Sequence, residues 1–206
     1  RVNILKRLES SVHSYNLTLN KIANKIAVAI DQIDDFSQAS TYEVDIEDAN
    51  EGVDGDDEQL EAMTVGTKVK VDLQDVDLVK WRIDLADDLV RFNSLIAQAK
   101  PVTAQRDAKL ADIKKVIEKK IYNQINAGNN KVVVFSAFAD TANYLYNDIA
   151  GWALEKFQVH SASVTGTGTN RTTSKEIPTH LSGVLTNFSP ISKEKDKIYP
   201  NIKDGI

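Results

Sequence analysis

Apolar residues recur along most of this 206-residue chain at helical spacing, and in one place they run without a break. Leu5, Leu8, Val12, Tyr15, Leu19, Ile22, Ile26, Ala29 and Ile33 alternate steps of three and four. That pattern predicts one helix over about residues 2–35 with a heptad-type seam. Charges to flank a coiled-coil seam are sparse, which favours a helix packed in a bundle over a dimeric coiled coil. Further on, Val69, Val71 and Leu73 alternate as a short extended segment. Asp75 or Asp77 can then cap a helix that begins near Leu78, carries Leu78, Trp81, Leu85, Leu89, Phe92 and Leu95 on one face, and ends at Lys100-Pro101. A third helix is predicted over about 104–127, with Leu110, Ile113, Ile117, Ile121 and Ile125 inside and Gly128 as its C-terminal stop. Three such stripes predict an antiparallel bundle over residues 1–127.

The second half reads differently. Val132, Val133, Val134 and Phe135 are consecutive, follow a Gly-Asn-Asn loop and run into Ser136. A short unbroken apolar run is the pattern of a strand buried on both faces. Phe138, Ala142, Leu145, Ile149 and Trp152 follow directly at spacings of four, three, four and three, so a helix comes next. Residues 158–164 form a second candidate strand, about thirty residues behind the first, as a βαβ unit requires. A polar glycine loop occupies residues 165–171. Leu181, Val184, Leu185 and Phe188 make a short helix opened near Pro178 and closed by Ser189-Pro190, and the remainder is basic and loop-like. The fold class expected is therefore α/β with a large helical part: a long-helix bundle over 1–127, then an incomplete parallel sheet over 128–206.

Composition narrows the chemistry. With 42% hydrophobic and 27% charged residues the chain belongs with ordinary globular domains. It contains no cysteine, which excludes disulfides, thiolate metal sites and a cysteine nucleophile. No apolar run approaches the roughly 18 residues of a membrane span, and no signal-peptide pattern opens the chain, so a cytoplasmic location is expected. The chain starts at Arg1 without a methionine, which suggests a fragment of a longer protein. Its net charge of −5 is uneven: residues 31–67 hold thirteen Asp or Glu and no Lys or Arg, leaving the rest at +8. Within that stretch, residues 37–66 lose all periodicity and read as a solvated acidic loop. Asn50, Asp54, Gly55 and Glu61 fit four positions of a calcium loop, but Gly52 supplies no side-chain oxygen at the third and Asp57 stands where an apolar residue belongs.

No catalytic set or metal site stands out. His13, His160 and His180 lie in unrelated segments, no G-x-S-x-G elbow nominates a serine, and residues 165–171 lack the lysine of a phosphate loop. What remains is a pair of polar loops behind two candidate strands, Ser136-Ala137-Phe138 and residues 165–171. Their hydroxyls, glycine amides and one arginine can grip phosphates from one sheet edge.

Lys131-Val132-Val133-Val134-Phe135-Ser136-Ala137-Phe138, with Asp140-Thr141 and Leu145 behind it, resembles the motif IV strand and helix of Swi/Snf-type superfamily 2 helicases and translocases. Leu5-Lys6-Arg7-Leu8-Glu9-Ser10-Ser11 resembles the segment leading into that lobe in bacterial members. Thr165-Gly166, Arg171 and Leu185-Thr186-Asn187-Phe188-Ser189 resemble the track that follows motif IV. The resemblance covers residues 1–15 and 130–206 and leaves 16–128 as a helical insertion. It implies an incomplete RecA-like second motor lobe with a parallel sheet, in which Ser136, Phe138, Thr165, Gly166 and Arg171 meet the nucleic-acid backbone. It also implies a parent protein that uses ATP and magnesium, with DNA in preference to RNA as track and the first motor lobe of the same chain as partner. The phosphate-loop lysine, acidic magnesium motif and arginine finger of the family have no counterpart in these 206 residues. The fragment is therefore expected to bind no cofactor and to be inactive alone. Two other readings stand beside this one: a non-enzymatic helical interaction module with an acidic regulatory loop, and a small nucleotide-binding domain using residues 165–171. A sheet cut short would also leave an edge through which two copies can pair.

Overall fold

The computed structural model describes residues 2–38, 76–166 and 170–206. Residues 39–67 of the acidic stretch, the calcium-loop pattern, the alternating segment at Val69, Val71 and Leu73, and Thr167, Gly168 and Thr169 of the glycine loop lie outside the described residues. The chain divides into two compact units, Arg1–Thr103 and Ala104–Ile206. No helix among the described residues is long and apolar enough to cross a membrane.

In the first unit, the single helix expected over 2–35 is two: α1, Val2–Ser10, and α2, Val12–Gln38. The break falls at Ser11, whose hydroxyl accepts a hydrogen bond from the Ser14 N–H at 3.0 Å. A serine that bonds the backbone N–H three residues on is an N-cap, and it starts a new helix where the apolar spacing alone would have continued the old one. Leu5 and Leu8 are accordingly exposed, while Leu19 and Ile33 are buried. The next helix, α3, spans Leu78–Ala99; Asp77 caps it by accepting from the Lys80 N–H, as its position in the sequence suggests. α2 and α3 pack on each other with the end of α2 beside the start of α3, an antiparallel pair. There Arg82 donates from Nε and Nη2 to the two oxygens of Asp34, at 2.5 and 2.8 Å, and this fork holds the Asp34 carboxyl below its ordinary range.

The second unit begins with a 3₁₀ turn, Ala104–Arg106, and α4, Ala108–Tyr122. α4 stops five residues short of the expected end. Asn123 ends it, Ile125 is 85% exposed instead of buried, and Gly128 with φ +76° serves a separate turn. α5, Ala139–Phe157, follows. Three contacts tie α4 to α5 in order: Asp107 to Tyr144, Glu118 to Lys156, and Tyr122 to Phe157. Both partners advance together along their helices, so α4 and α5 run parallel and the chain must return the length of α4 between them. That length is about 22 Å for fifteen residues, and six extended residues cover about 20 Å. The segment between them, residues 123–138, makes that return, with 131–136 inside it.

Here the expectation from sequence needs correction. Residues 131–136 form no regular strand, and Phe135 is 92% exposed, with Val133 and Val134 exposed beside it. The two strands present are β1, Ala162–Ser163, and β2, Arg171–Thr172, paired antiparallel with Ala162 opposite Thr172. Among the described residues there is no parallel pair; the large helical part is present, and a RecA-like sheet is not. An apolar run becomes a buried strand only where a neighbouring strand takes its N–H and C=O groups, and none of the described residues does so for Val132 to Phe135.

α5 closes on Gln158 in the left-handed region (φ 57°), whose N–H donates to Leu154 while Val159 donates to Ala153. β1 then runs on, so α5 stands between two extended stretches. α6, Leu181–Phe188, lies within its expected bounds, and α7, Lys195–Ile198, is a single turn. His180 caps α6: its Nδ1 accepts from the Gly183 N–H at 3.0 Å. A Cβ added at Gly183 would come within 2.9 Å of both Cβ and the carbonyl oxygen of Pro178.

Two measurements follow from this packing. Gly183→Ala is expected to destabilise the second unit by about 1–3 kcal/mol, read from chemical denaturation, because backbone cannot yield as a flexible side chain does. Tyr144 is buried and donates to Asp107 Oδ2 at 2.9 Å; burial first, then this bond, raises its hydroxyl pKa well above the ordinary value. A raised pKa means the contribution is whole below about pH 10, the unfolded value, and is lost as pH rises through the folded one. Tyr144→Phe should therefore cost about 1.5–3 kcal/mol at neutral pH, with the difference from wild type shrinking above about pH 10.

Candidate functional site

Of the five residues nominated from sequence, Ser136 and Phe138 lie at the entry to α5, Thr165 and Gly166 on the second loop, and Arg171 on β2 behind it. Ser136 sits at the end of the extended return, where its hydroxyl accepts from the Phe138 N–H at 3.1 Å and donates to the Phe138 carbonyl at 3.0 Å. Both bonds are local, and they fix the corner by which the chain enters α5. A phosphate taking the Ser136 hydroxyl would have to replace the Phe138 carbonyl as its acceptor. Phe138 is half-buried at the N-cap position, where its own side chain offers the helix no capping group. Its sequence row, with Ala142, Leu145, Ile149 and Trp152, is half-buried throughout; Thr141, Tyr144, Ala150 and Ala153 are the deeper positions.

On the other loop, the Thr165 N–H donates to Asn170 Oδ1 at 3.1 Å, closing the turn across its base. Gly166 is exposed at the bend. Arg171 lies on β2 and reaches α5: Nη1 donates to Asn147 Oδ1 and Nη2 to Asn143 Oδ1, both at 2.9 Å. The guanidinium carbon stands 4.5 Å from the centroid of Tyr146, and Nε is buried with no partner among the described residues. Asn143 and Asn147 are one helical turn apart and Tyr146 lies between their rows, so three side chains of one α5 face cradle a single cation. All its partners are neutral. The charge is oriented but not neutralised, which is the state of an arginine able to meet an anion. Arg171 thereby ties the second loop to the half of α5 that Ser136 introduces.

The amides of this cradle were not among the residues nominated from sequence, although Asn143 and Asn147 at i, i+4 beside the apolar row are a readable signal. Nor was a polar cluster that forms only in space. Ser174, buried, donates to Asp204 Oδ2 at 2.6 Å; His160 Nε2 lies 3.4 Å from the same oxygen, and His160 Nδ1 is 3.0 Å from the Thr173 hydroxyl. Buried Lys195 donates to the Asp204 carbonyl. Serine, histidine and aspartate are all present, but in the wrong order for nucleophilic catalysis. The serine hydroxyl donates to the aspartate, and among the described residues no histidine nitrogen bonds Ser174 Oγ. The cluster instead fastens residues near 204 onto the β1–β2 hairpin. Among the described residues no group of three or more His, Asp or Glu is placed to hold a metal ion.

Comparison with protein-family models, curated proteins and solved structures finds no match to this chain. The cradle itself is open to measurement: Arg171→Met keeps the stem but removes both bonds, and is expected to cost about 1–2 kcal/mol in thermal or chemical unfolding.

Proposed function

We propose that this chain is part of the second motor lobe of an ATP-dependent nucleic-acid helicase or translocase, in which its two loops hold the nucleic-acid backbone. The observation that carries the reading is Arg171: a cation held by amides and an aromatic ring, without a carboxylate, beside the loop of Thr165 and Gly166. Support also comes from the order of segments, since an extended apolar run enters α5 through Ser136 and a second extended segment leaves it. In this reading the apolar run at 131–136 stands where the motif IV segment enters the lobe, and β1 follows α5 as the next segment of that order. Phosphate contacts of this kind carry no base information, so grip without sequence preference is expected, on DNA in preference to RNA. The chemistry belongs to the parent protein in the cytoplasm: ATP and magnesium bind on the first motor lobe, and this lobe contributes position and backbone contact.

A second reading has one specific observation behind it. Val79, Ile83 and Val90 are exposed along one side of α3, away from the face that carries Trp81 and Leu85. A helical interaction module would use such a row.

The deciding experiment joins this chain in one polypeptide to a lobe bearing a phosphate-loop lysine and to the motifs that complete a motor. ATP hydrolysis should then rise at least tenfold with single- or double-stranded DNA, and Arg171→Met should remove most of that stimulation. Hydrolysis that ignores nucleic acid, in a fusion shown to bind ATP, would refute the motor reading.

A further inference from the structure

The far end of α5 carries a surface that the candidate grip does not use and that the packing of α4 on α5 leaves partly open. Trp152 and Phe157 meet edge to face with centroids 5.3 Å apart, and Phe157 meets Tyr122 of α4 the same way at 5.8 Å. The three rings form one strip across the C-terminal ends of α4 and α5. The strip is not closed off, because Tyr122 is 69% exposed. Lysines surround it. Lys114 Nζ stands 5.4 Å from the Trp152 centroid, and Lys156 Nζ stands 5.8 Å from that ring and 5.3 Å from Phe157.

The layout on α4 follows from helical spacing. Lys114, Glu118 and Tyr122 make one row at i, i+4, and Lys115 and Lys119 make the next. The two carboxylates of α4 are taken: Glu118 pairs with Lys156, and Asp112 with Lys115 at 2.9 Å. Lys114 and exposed Lys119 have no carboxylate partner among the described residues. The surface thus combines an open aromatic ring with an excess of ammonium groups.

Few ligands satisfy both. An apolar protein face would strip water from the unpaired lysines without replacing it. An acidic peptide would answer the lysines and leave the ring unmatched. A single nucleic-acid strand offers base faces to stack and phosphates to pair, the combination by which sequence-tolerant strand binders work. We propose that Tyr122, Trp152 and Phe157, with Lys114, Lys119 and Lys156, form a binding platform for single-stranded nucleic acid, on which a base stacks against Tyr122 while phosphates follow the lysines of α4. α5 is about 28 Å long, so this platform and the Ser136 corner are separate contact points on the second unit. The platform shares with the motor reading only its class of ligand and needs no ATP to be occupied.

The test is fluorescence anisotropy of the whole 206-residue chain with a labelled single-stranded oligonucleotide of about 12 nucleotides, a length within the range one such platform covers. It runs from low to physiological salt, with circular dichroism melts to confirm that each variant is folded. Tyr122→Leu keeps an apolar cover over Phe157 but removes the stacking ring, and should weaken binding about 5- to 100-fold. Tyr122→Phe should bind as wild type. The double variant Lys114→Glu, Lys119→Glu should weaken binding and flatten the log–log salt dependence by about 1–2. Absence of wild-type binding at low salt overturns the proposal, as does a Tyr122→Leu protein that binds like wild type. Competition by polyglutamate as effective as by unlabelled oligonucleotide overturns it too, since the surface would then be a general polyanion site. Arg171→Met separates the two contact points. Binding lost there and kept in Tyr122→Leu supports the backbone grip and overturns the platform; the opposite result keeps the platform and removes the grip.

Discussion

The second unit depends on one carboxylate with two partners. Asp107 is buried; Oδ1 accepts from the Leu110 N–H at the start of α4, and Oδ2 accepts from the Tyr144 hydroxyl on α5. A buried carboxylate is tolerated only when its lone pairs are matched, so removing either donor leaves the oxygen it served without compensation. The pairing also fixes the offset between the helices. With Asp107 beside Tyr144, Glu118 falls opposite Lys156 and Tyr122 opposite Phe157, and the parallel arrangement follows. Parallel neighbours require a long return. The extended run at 131–136, the Ser136 corner and the aromatic strip at the far end are all consequences of where that carboxylate sits.

The parts of the fold that are legible in sequence are those set by local signals. Asp77 before Leu78, Lys100-Pro101 behind α3 and Ser189-Pro190 behind α6 each act on the nearest turn of backbone, and each boundary is where they put it. Ser11 shows the limit of periodicity: the apolar steps run through it unbroken, yet its hydroxyl takes a backbone N–H and two helices result. Thr141 and Tyr144 carry hydroxyls and so fall outside an apolar stripe, although a tyrosine is buried readily when its hydroxyl has an acceptor. Residues 132–135 mark a deeper limit. Burial on both faces is a property of the neighbours a strand finds, and four apolar residues in a row state only what the segment would accept.

The same division holds for the candidate site. Both loops are legible as polar turns, and the structure sets them on the same half of α5. The cradle of Arg171 is not, because it depends on two asparagines of a helix 24 and 28 residues earlier in the chain. Ser174 and His160 meet Asp204 across still larger separations. There geometry reverses what residue types alone would suggest: the set that looks most catalytic on paper is wired as a clasp.

The choice of amides around Arg171 has a consequence for how the protein responds to its medium. Ion pairs such as Arg82 with Asp34 weaken as ionic strength rises, since mobile counterions compete for both charges. A dipole offers counterions little to compete for, so the hold of Asn143 and Asn147 on the guanidinium persists in brine that would strip a phosphate away. Concentrated electrolyte thus leaves this arginine oriented while ion pairs elsewhere on the surface loosen.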